Sequence, residues 1–488
     1  MEEHTPVSPD QPVVTTSAPH APGVGAHAPK AATPKALRHA IAPGAPRQQL
    51  ASGTSAPASS ALPTSDASAQ ARSRRVTTPG YEVAPGYELS PVERIFCELV
   101  EIDSPSFHEH AMADEVRNRL GALGFVVTED TTSGRNDGMV TSITSTRRYA
   151  RMASGPMSDL HRLVHTGSDC GNLFATLPGA GIRAADDPIL FITHLDTVQP
   201  ATGKHARVHA DGTITSFGDT VLGADDLAGI ACVMAAVRHL REQGAAHRPV
   251  ELACMVAEEV GNVGARAFDF SQCRASMAYT LDYSADPHEY AYQAPTILYL
   301  TIEVIGRSAH AGFYPEKGVN AIKIAAQAIA AMPCGRVGGD TTVNVGLISG
   351  GRGTNVVPSD VVIRGEVRSY DHEKAQAQAQ RVTELFQRAA ADFGGQVNVQ
   401  VSEACRAYCM AQDAPVVRRF EWACAALGMQ ASGAPTFGGS DNNVAVAYGI
   451  PGIVMANGMR DAHSTHEHVQ PGDLAKIQAL VEQLLTLD

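Results

Sequence analysis

The chain has 488 residues and a formal net charge of -13, from 51 acidic and 38 basic side chains. That length exceeds one ordinary core, so two or more compact units are expected. A nucleic-acid partner would need a concentrated basic face, which this charge argues against. No apolar run approaches the roughly 20 residues of a membrane span.

Residues 1–85 are rich in Ala, Pro, Ser, Thr and His and have almost no Leu, Ile or Phe. Such a segment buries too little apolar surface to offset its conformational entropy, and a disordered tail is expected. Arg74-Arg75 is not followed by the apolar stretch of an export signal. The nine cysteines include no CxxC pair, and the neighbours Cys405 and Cys409 have no Cys/His cluster around them. An odd count without a signal peptide predicts a reducing, cytoplasmic location.

Ser90-Pro91-Val92-Glu93 predicts a helix start, and Val92, Ile95, Phe96 and Leu99 recur at helical spacing. A second helix is predicted over residues 110–123 and a strand over 125–128. Residues 130–168, with Arg147, Arg148 and Arg151, are Ser-, Thr- and Gly-rich and predict a surface insertion. Strand signals return at 170–177, 188–193, 250–257 and 277–282, with a helix over 227–240 and another near Ala265. This strand–helix alternation predicts a mixed, largely parallel α/β sheet flanked by helices.

From about residue 293 the pattern changes to β-α-β-β-α-β, the order of a ferredoxin-like α+β unit. Residues 293–411 are therefore expected to be a domain inserted into an α/β domain made of 86–292 and 412–488. Helix 416–427, strand 452–455 and an amphipathic helix over 474–485 complete the larger domain.

The strand ends carry the chemistry. His194 and Asp196 end one strand, Glu258 and Glu259 another and Asp282 a third, while Asp225 follows Gly223 and His463 lies in a late loop. Ligand-bearing groups in open α/β sheets gather beyond the carboxyl ends of strands. Taken singly, Asp225 could cap a helix, Glu258-Glu259 could be a solvated loop, and His463 could belong to a surface histidine cluster. Five carboxylates in one cleft would repel strongly unless one or two divalent cations joined them. Imidazoles among carboxylates suit zinc, cobalt or manganese. Two such ions can hold a hydroxide at neutral pH while a further carboxylate acts as general base.

At these residues the sequence resembles the M20 metallopeptidases, in particular the peptidase T-like, tripeptidase-like branch. The resemblance covers about residues 90–488. It is carried by His194-Leu195-Asp196-Thr197-Val198, Leu222-Gly223-Ala224-Asp225-Asp226, Glu258-Glu259-Val260-Gly261, Ala278-Tyr279-Thr280-Leu281-Asp282 and His463-Ser464-x-x-Glu467-x-Val469. Within the inserted domain it continues through Gly306-Arg307-Ser308-Ala309-His310-Ala311-Gly312 and Thr354-Asn355-Val356-Val357-Pro358 to Val367-Arg368.

The resemblance implies a di-zinc exopeptidase-like catalytic domain with a mobile lid. His194 and Asp282 would hold one metal, Glu259 and His463 the other, and Asp225 would bridge them. Asp196 would orient His194, Glu258 would be the general base, and His310 would stabilise the oxyanion from the lid. Asn355 and Arg368 would hold a substrate carboxylate. In some relatives the lid histidine reaches a neighbouring subunit's metals, so a homodimer is an assembly to expect.

The expected activity is hydrolysis of peptide or peptide-like amide bonds, as an aminopeptidase on short peptides. The alternatives are an amidohydrolase acting on N-acyl or N-carbamoyl amino acids and a catalytically silent peptide-binding protein. Leu227 stands where many relatives have Lys, and Tyr283-Ser284 where small glycines are common. Both departures leave strict tripeptide specificity open.

Overall fold

The computed structural model describes residues 80–133 and 166–487. Most of the 1–85 tail, the greater part of the 130–168 insertion, and Arg74, Arg75, Arg147, Arg148 and Arg151 lie outside the described residues. Regular structure begins before residue 86, because Glu82-Val83 pairs in parallel with Arg207-Val208. Tyr81 beside it is buried. The Gly/Pro-rich surroundings hide this short apolar anchor from a composition-based boundary.

Helix α1 spans Pro91–Val100 and starts as its sequence predicts. Ser90 accepts from the Glu93 amide at 3.4 Å, and Glu93 returns the bond to the Ser90 amide at 2.7 Å. Helix α2 (His110–Ala122) leads into β1 (Val126–Glu129), followed by β2 (Leu173–Leu177) and β3 (Ile189–His194). Next come α3 (Ala224–Glu242), β4 (Val250–Met255), α4 (Val263–Ala267), β5 (Ala278–Tyr283) and β6 (Glu289–Ala294).

The chain then builds β7 (Thr296–Ile305), α5 (Ala321–Ala331), β8 (Gly335–Arg336), β9 (Thr341–Gly350), β10 (Asp360–Ser369), α6 (His372–Phe393) and β11 (Gln396–Cys405). It returns through β12 (Tyr408–Cys409), α7 (Pro415–Ala426), β13 (Ser432–Pro435), α8 (Asp441–Ala447), β14 (Gly452–Ala456) and α9 (Asp473–Thr486).

A nine-stranded sheet runs β12-β6-β14-β5-β3-β4-β2-β1, with β13 also paired to β6. Its centre, β14-β5-β3-β4, is parallel, and β2 and β1 add antiparallel edges. Central strands read as unbroken apolar runs because both faces are covered. In β3, Ile189 and Phe191 point into the core under α1, α2, α3, α7 and α9, whereas Leu190 and Ile192 point into the one under α4 and α8. Each buried aliphatic or aromatic side chain contributes roughly 1.5–3 kcal/mol.

The second sheet, β8-β9-β10-β7-β11, is antiparallel throughout. Leu298, Leu300, Ile302 and Val304 alternate along β7 toward a core closed by α5 and α6. Asn320 and Asp371 cap those helices, accepting from the Lys323 amide at 3.0 Å and the Lys374 amide at 3.1 Å.

This sheet is narrower than the 293–411 span expected for the inserted domain. Gln293 and Ala294 pair with Cys409 and Tyr408 in the nine-stranded sheet. Strand alternation runs through Glu289–Ala294 into β7 with only Pro295 between, so periodicity offers no mark where the chain changes sheets. A third set of short strands matters for the site. Met459-Arg460 and His468-Val469 form a hairpin, and His468-Val469 also pairs with Ile214-Thr215.

Candidate metal centre

Each side chain of the centre is delivered by the end of an element. His194 is the last residue of β3, Glu258 and Glu259 turn away from β4, and Asp282 lies near the end of β5. His463 sits in the loop of the 459–469 hairpin with a left-handed φ of 62°. Asp225 lies at the start of α3, but the cap position belongs to Gly223. Gly223 combines a φ of 81° with lack of space, since a Cβ there would stand 3.0 Å from Thr197 Cγ2 and 3.2 Å from Lys204 Nζ. The Asp225 carboxylate is therefore free to face the histidines rather than cap the helix.

The two oxygens of Asp225 face different partners. Oδ1 lies 3.1 Å from His194 Nε2 and Oδ2 lies 3.1 Å from His463 Nε2. His463 Nε2 is also 3.0 Å from Glu259 Oε2. Ligand atoms of His194, Asp225 and Asp282 lie within 4.8 Å of one another, and so do those of Asp225, Glu259 and His463. All five residues expected at the metals come together, and Asp225 belongs to both groups.

The electrostatics fit a cationic occupant. Burial pushes Glu258 and Asp282 well above the ordinary carboxyl range, assisted by Asp282 and Asp441 around Glu258 and by Asp225 beside Asp282. Burial and Asp225 push Glu259 up to about 7. Burial also opposes ionisation of Asp225, but its bonds to His194 and His463 outweigh it and hold the carboxyl below the usual range. Those same contacts, with Asp225 and then Glu259, raise His463 to about 10. Glu259 Oε1 is buried without a hydrogen-bond partner. A field that draws protons onto both imidazoles, together with an orphaned carboxylate oxygen, matches a site for divalent ions.

Asp196 does more than orient His194. The imidazole Nδ1 lies 2.9 Å from the backbone carbonyl of Asp196, closer than the 3.5 Å to its carboxylate, and this acceptor turns Nε2 toward the cluster. The Asp196 carboxylate instead accepts from Ser106 Oγ at 2.7 Å and from the amides of Glu258 and Glu259 at 2.9 and 3.2 Å. It thus clamps the turn that bears both glutamates.

Comparison with known proteins places this geometry. The profile of the peptidase dimerisation domain of the M20 family matches residues 294–393, and that of peptidase family M28 matches 172–326. The Bacillus subtilis protein YqjE is 34% identical over 390 residues, covering 80% of this chain and 96% of its own. The crystal structure of aminopeptidase PepT from Bacillus cereus is 34% identical with a TM-score of 0.67, covering 81% of this chain and 97% of that one. A tripeptidase from Staphylococcus aureus is 30% identical with a TM-score of 0.70 over the same shares, 81% and 97%. The chain belongs to the M20 metallopeptidases, on the peptidase T-like branch.

In this M20 peptidase the residues expected to act from a lid stand differently from the candidate metal ligands. His310 is exposed, its Nδ1 accepts the amides of Gly312 and Phe313 at 3.1 Å each, and its ring stacks on Phe313 with centroids 4.2 Å apart. Asn355 is also exposed, and its carbonyl accepts the Ala311 amide. Arg368 is half-buried and forms a bidentate pair with Glu366, at 2.9 Å for both bonds, while Nη1 donates to the Phe437 carbonyl at 2.9 Å. None of these three contacts a metal-facing side chain among the described interactions.

Several further groups support the site, two of them (Asp226 and Glu467) inside the quoted motifs and two (Glu109 and Lys204) outside any motif. Glu467 accepts the amides of Gly223 and Asp225 at 2.7 and 2.9 Å, tying the His463 hairpin to the start of α3. Asp226 accepts from Asn457 at 2.8 Å and from the His194 amide at 3.3 Å. Glu109 accepts the amides of Phe107 and Ala257, both at 2.9 Å, and the Ser168 hydroxyl; burial, then Asp196, push it up to about 8. Lys204 is buried with its ammonium 3.1 Å from Thr197 Oγ1, and burial lowers it to about 8. Glu467 falls inside a motif, but isolated acids such as Glu109 have no local pattern. Their partners lie 148 and 244 residues away, at Ala257 and Gly223. Leu227 is fully buried in the core.

Proposed function

We propose that this M20 peptidase is an aminopeptidase of short peptides that works with two divalent metal ions, zinc in preference to cobalt or manganese. One observation carries the reading: two ligand groups share Asp225, whose oxygens each lie 3.1 Å from a different imidazole. His194 and Asp282 would hold one ion, Glu259 and His463 the other, and Asp225 both. Ions bound there would polarise the scissile carbonyl and lower the pKa of an attacking water.

Glu258 is the general base in this reading, taking the proton of the water and passing it to the leaving amine. Its burial beside Asp282 and Asp441 supports that role, because burial and both acids raise its affinity for a proton above that of an ordinary carboxylate. Asp196 positions the base through the backbone of the glutamate turn. His310 donates to the oxyanion once the lid closes.

Asn355 and Arg368 hold the substrate carboxylate. Three of the five guanidinium N–H groups of Arg368 are engaged by Glu366 and Phe437, so two are left to grip an anion. Nine unpaired thiols support a cytoplasmic location. The dimerisation-domain match supports a homodimer. The relatives described as an aminopeptidase and a tripeptidase support the substrate class.

Metal quantification on active protein, combined with a panel of free-amine tripeptides and N-acyl or N-carbamoyl amino acids, tests the reading. Two ions per chain and turnover of the tripeptides are expected. Turnover confined to the N-substituted amino acids would make it an amidohydrolase, and a folded, metal-free, inactive protein would make it a silent binder.

A further inference from the structure

Next to Glu258 lies an amide that the reaction as described does not use. Asn262 is buried, and its side-chain Nδ2 stands 2.7 Å from Glu258 Oε1 and 3.1 Å from Asp441 Oδ1. With both carboxyls ionised, as a general base and its anchor are before proton transfer, these oxygens only accept, so the NH2 end of the amide faces them and both its hydrogens are committed. Asp441 opens α8, 179 residues further along the chain, and is itself buried. One side chain thus ties the turn after β4 to the segment that follows the inserted sheet.

The backbone at this position narrows the choice of residue. Asn262 has a left-handed φ of 55°, and its amide closes back on the Glu258 carbonyl at 2.7 Å. Glycine and asparagine tolerate that conformation best. Glycine would satisfy the turn alone, whereas asparagine also brings a two-hydrogen donor to bear on the carboxylate four residues back. On the opposite side, the amides of Ala257, Glu258 and Glu259 are held by Glu109 and Asp196. The backbone of the turn is therefore fixed from one side and the Glu258 side chain from the other.

We propose that Asn262, anchored by Asp441, is a positioning residue that pins Glu258 Oε1 and so leaves Oε2 as the oxygen that takes and returns the proton. The inference rests on the reading of Glu258 as the base. A carboxylate free to rotate about its last torsion would present either oxygen in a range of directions. One held by a charge-assisted hydrogen bond presents a single oxygen in a fixed direction, and orientation of this kind acts on the chemical step more than on substrate binding.

The test uses the full chain loaded with metal and a free-amine tripeptide. Asn262→Gly removes the amide and keeps the turn, and kcat should fall about 10- to 100-fold. KM should stay within about twofold, as expected for an interaction that acts in the transition state. Metal content and thermal midpoint are measured alongside, and two ions per chain should remain.

Asp441→Ala should lower kcat comparably, while Asp441→Asn, which keeps an acceptor oxygen for Asn262, should restore it. The Asn262→Gly/Asp441→Ala double variant should be no slower than Asn262→Gly alone, because the two act as one unit. Parental kcat in Asn262→Gly, a rise in KM in place of the fall in kcat, loss of metal, or additive single effects would overturn the inference. Should Asn262→Gly fail to fold, the Asp441→Ala and Asp441→Asn pair reads the same anchor. Glu258→Ala is run beside them. If it turns over at the parental rate, the base assignment fails and this inference with it; if it is inactive while Asn262→Gly is not impaired, only this inference fails.

Discussion

The metal-facing cluster and the lid residues invite comparison because they differ in how they are held. His194, Asp225 and Glu258 are buried, Glu259 and Asp282 half-buried and His463 exposed, and the side chains and backbone of the cluster are braced by Asp196, Glu109, Glu467 and Asn262. His310 and Asn355 are exposed, and Arg368 is bound to groups that are not substrate. A cradle for doubly charged ions has to exist before they arrive, since its assembly cost would otherwise come out of their affinity. Groups that meet a substrate must stay reachable until it is bound. The contrast therefore lies in bracing more than in burial, since His463 on its hairpin loop is exposed, as His310 and Asn355 are.

The largest expected effect is on the braced side. Glu258→Ala should lower kcat by about 10²- to 10⁴-fold, the usual share of a general base, with both metals retained in elemental analysis. On the exposed side, His310→Ala should cost about 10²- to 10³-fold in kcat with an unchanged thermal midpoint, because its ring supports no core. A large loss of thermal stability in that variant would erase the contrast between the two regions.

Asp196→Asn keeps the shape of the clamp but removes its charge, and metal affinity or activity should drop about 10- to 100-fold, read by metal titration. Arg368→Ala should raise KM about tenfold for peptides with a free carboxylate and leave the corresponding amides unaffected.

The smallest effect is a pH trend in metal-stripped protein. Glu109 is raised from 4.5 to about 8 and Asp441 from 3.8 to about 7, so the folded state holds protons that the unfolded state has released. Their contribution to stability is complete below about pH 4 and is lost as pH rises through about 7 to 8. Thermal midpoints of chelator-treated protein should therefore fall over that interval by several degrees, and re-added zinc should flatten the slope.

Much of the architecture was legible because the central strands carry strong signals. Ile189–His194 and Val250–Met255 are apolar runs that end in charged residues, and Ser90 with Glu93 announces a helix by its hydrogen-bonding chemistry. The metal-facing residues could be read for the same reason, since each sits at an element end within a short pattern. The braces could not. Glu109, Asn262 and Asp441 acquire meaning only from partners far away in the chain, and no periodicity encodes such pairs. Strand alternation does not mark the change of sheet near Pro295, because it is blind to which sheet a strand joins.

The two sheets also differ in how their parts are spaced along the polypeptide. The five-stranded sheet is drawn from one uninterrupted stretch, 296–405, whereas β5 of the larger sheet must pair with β14 from beyond it, and Asp225 meets His463 across 238 positions. Local pairings close sooner than distant ones. During synthesis the smaller sheet can therefore be complete while the larger one still lacks an inner strand. Hydrolytic competence would then arrive abruptly, once β14 and the His463 loop have emerged, rather than growing with the nascent polypeptide.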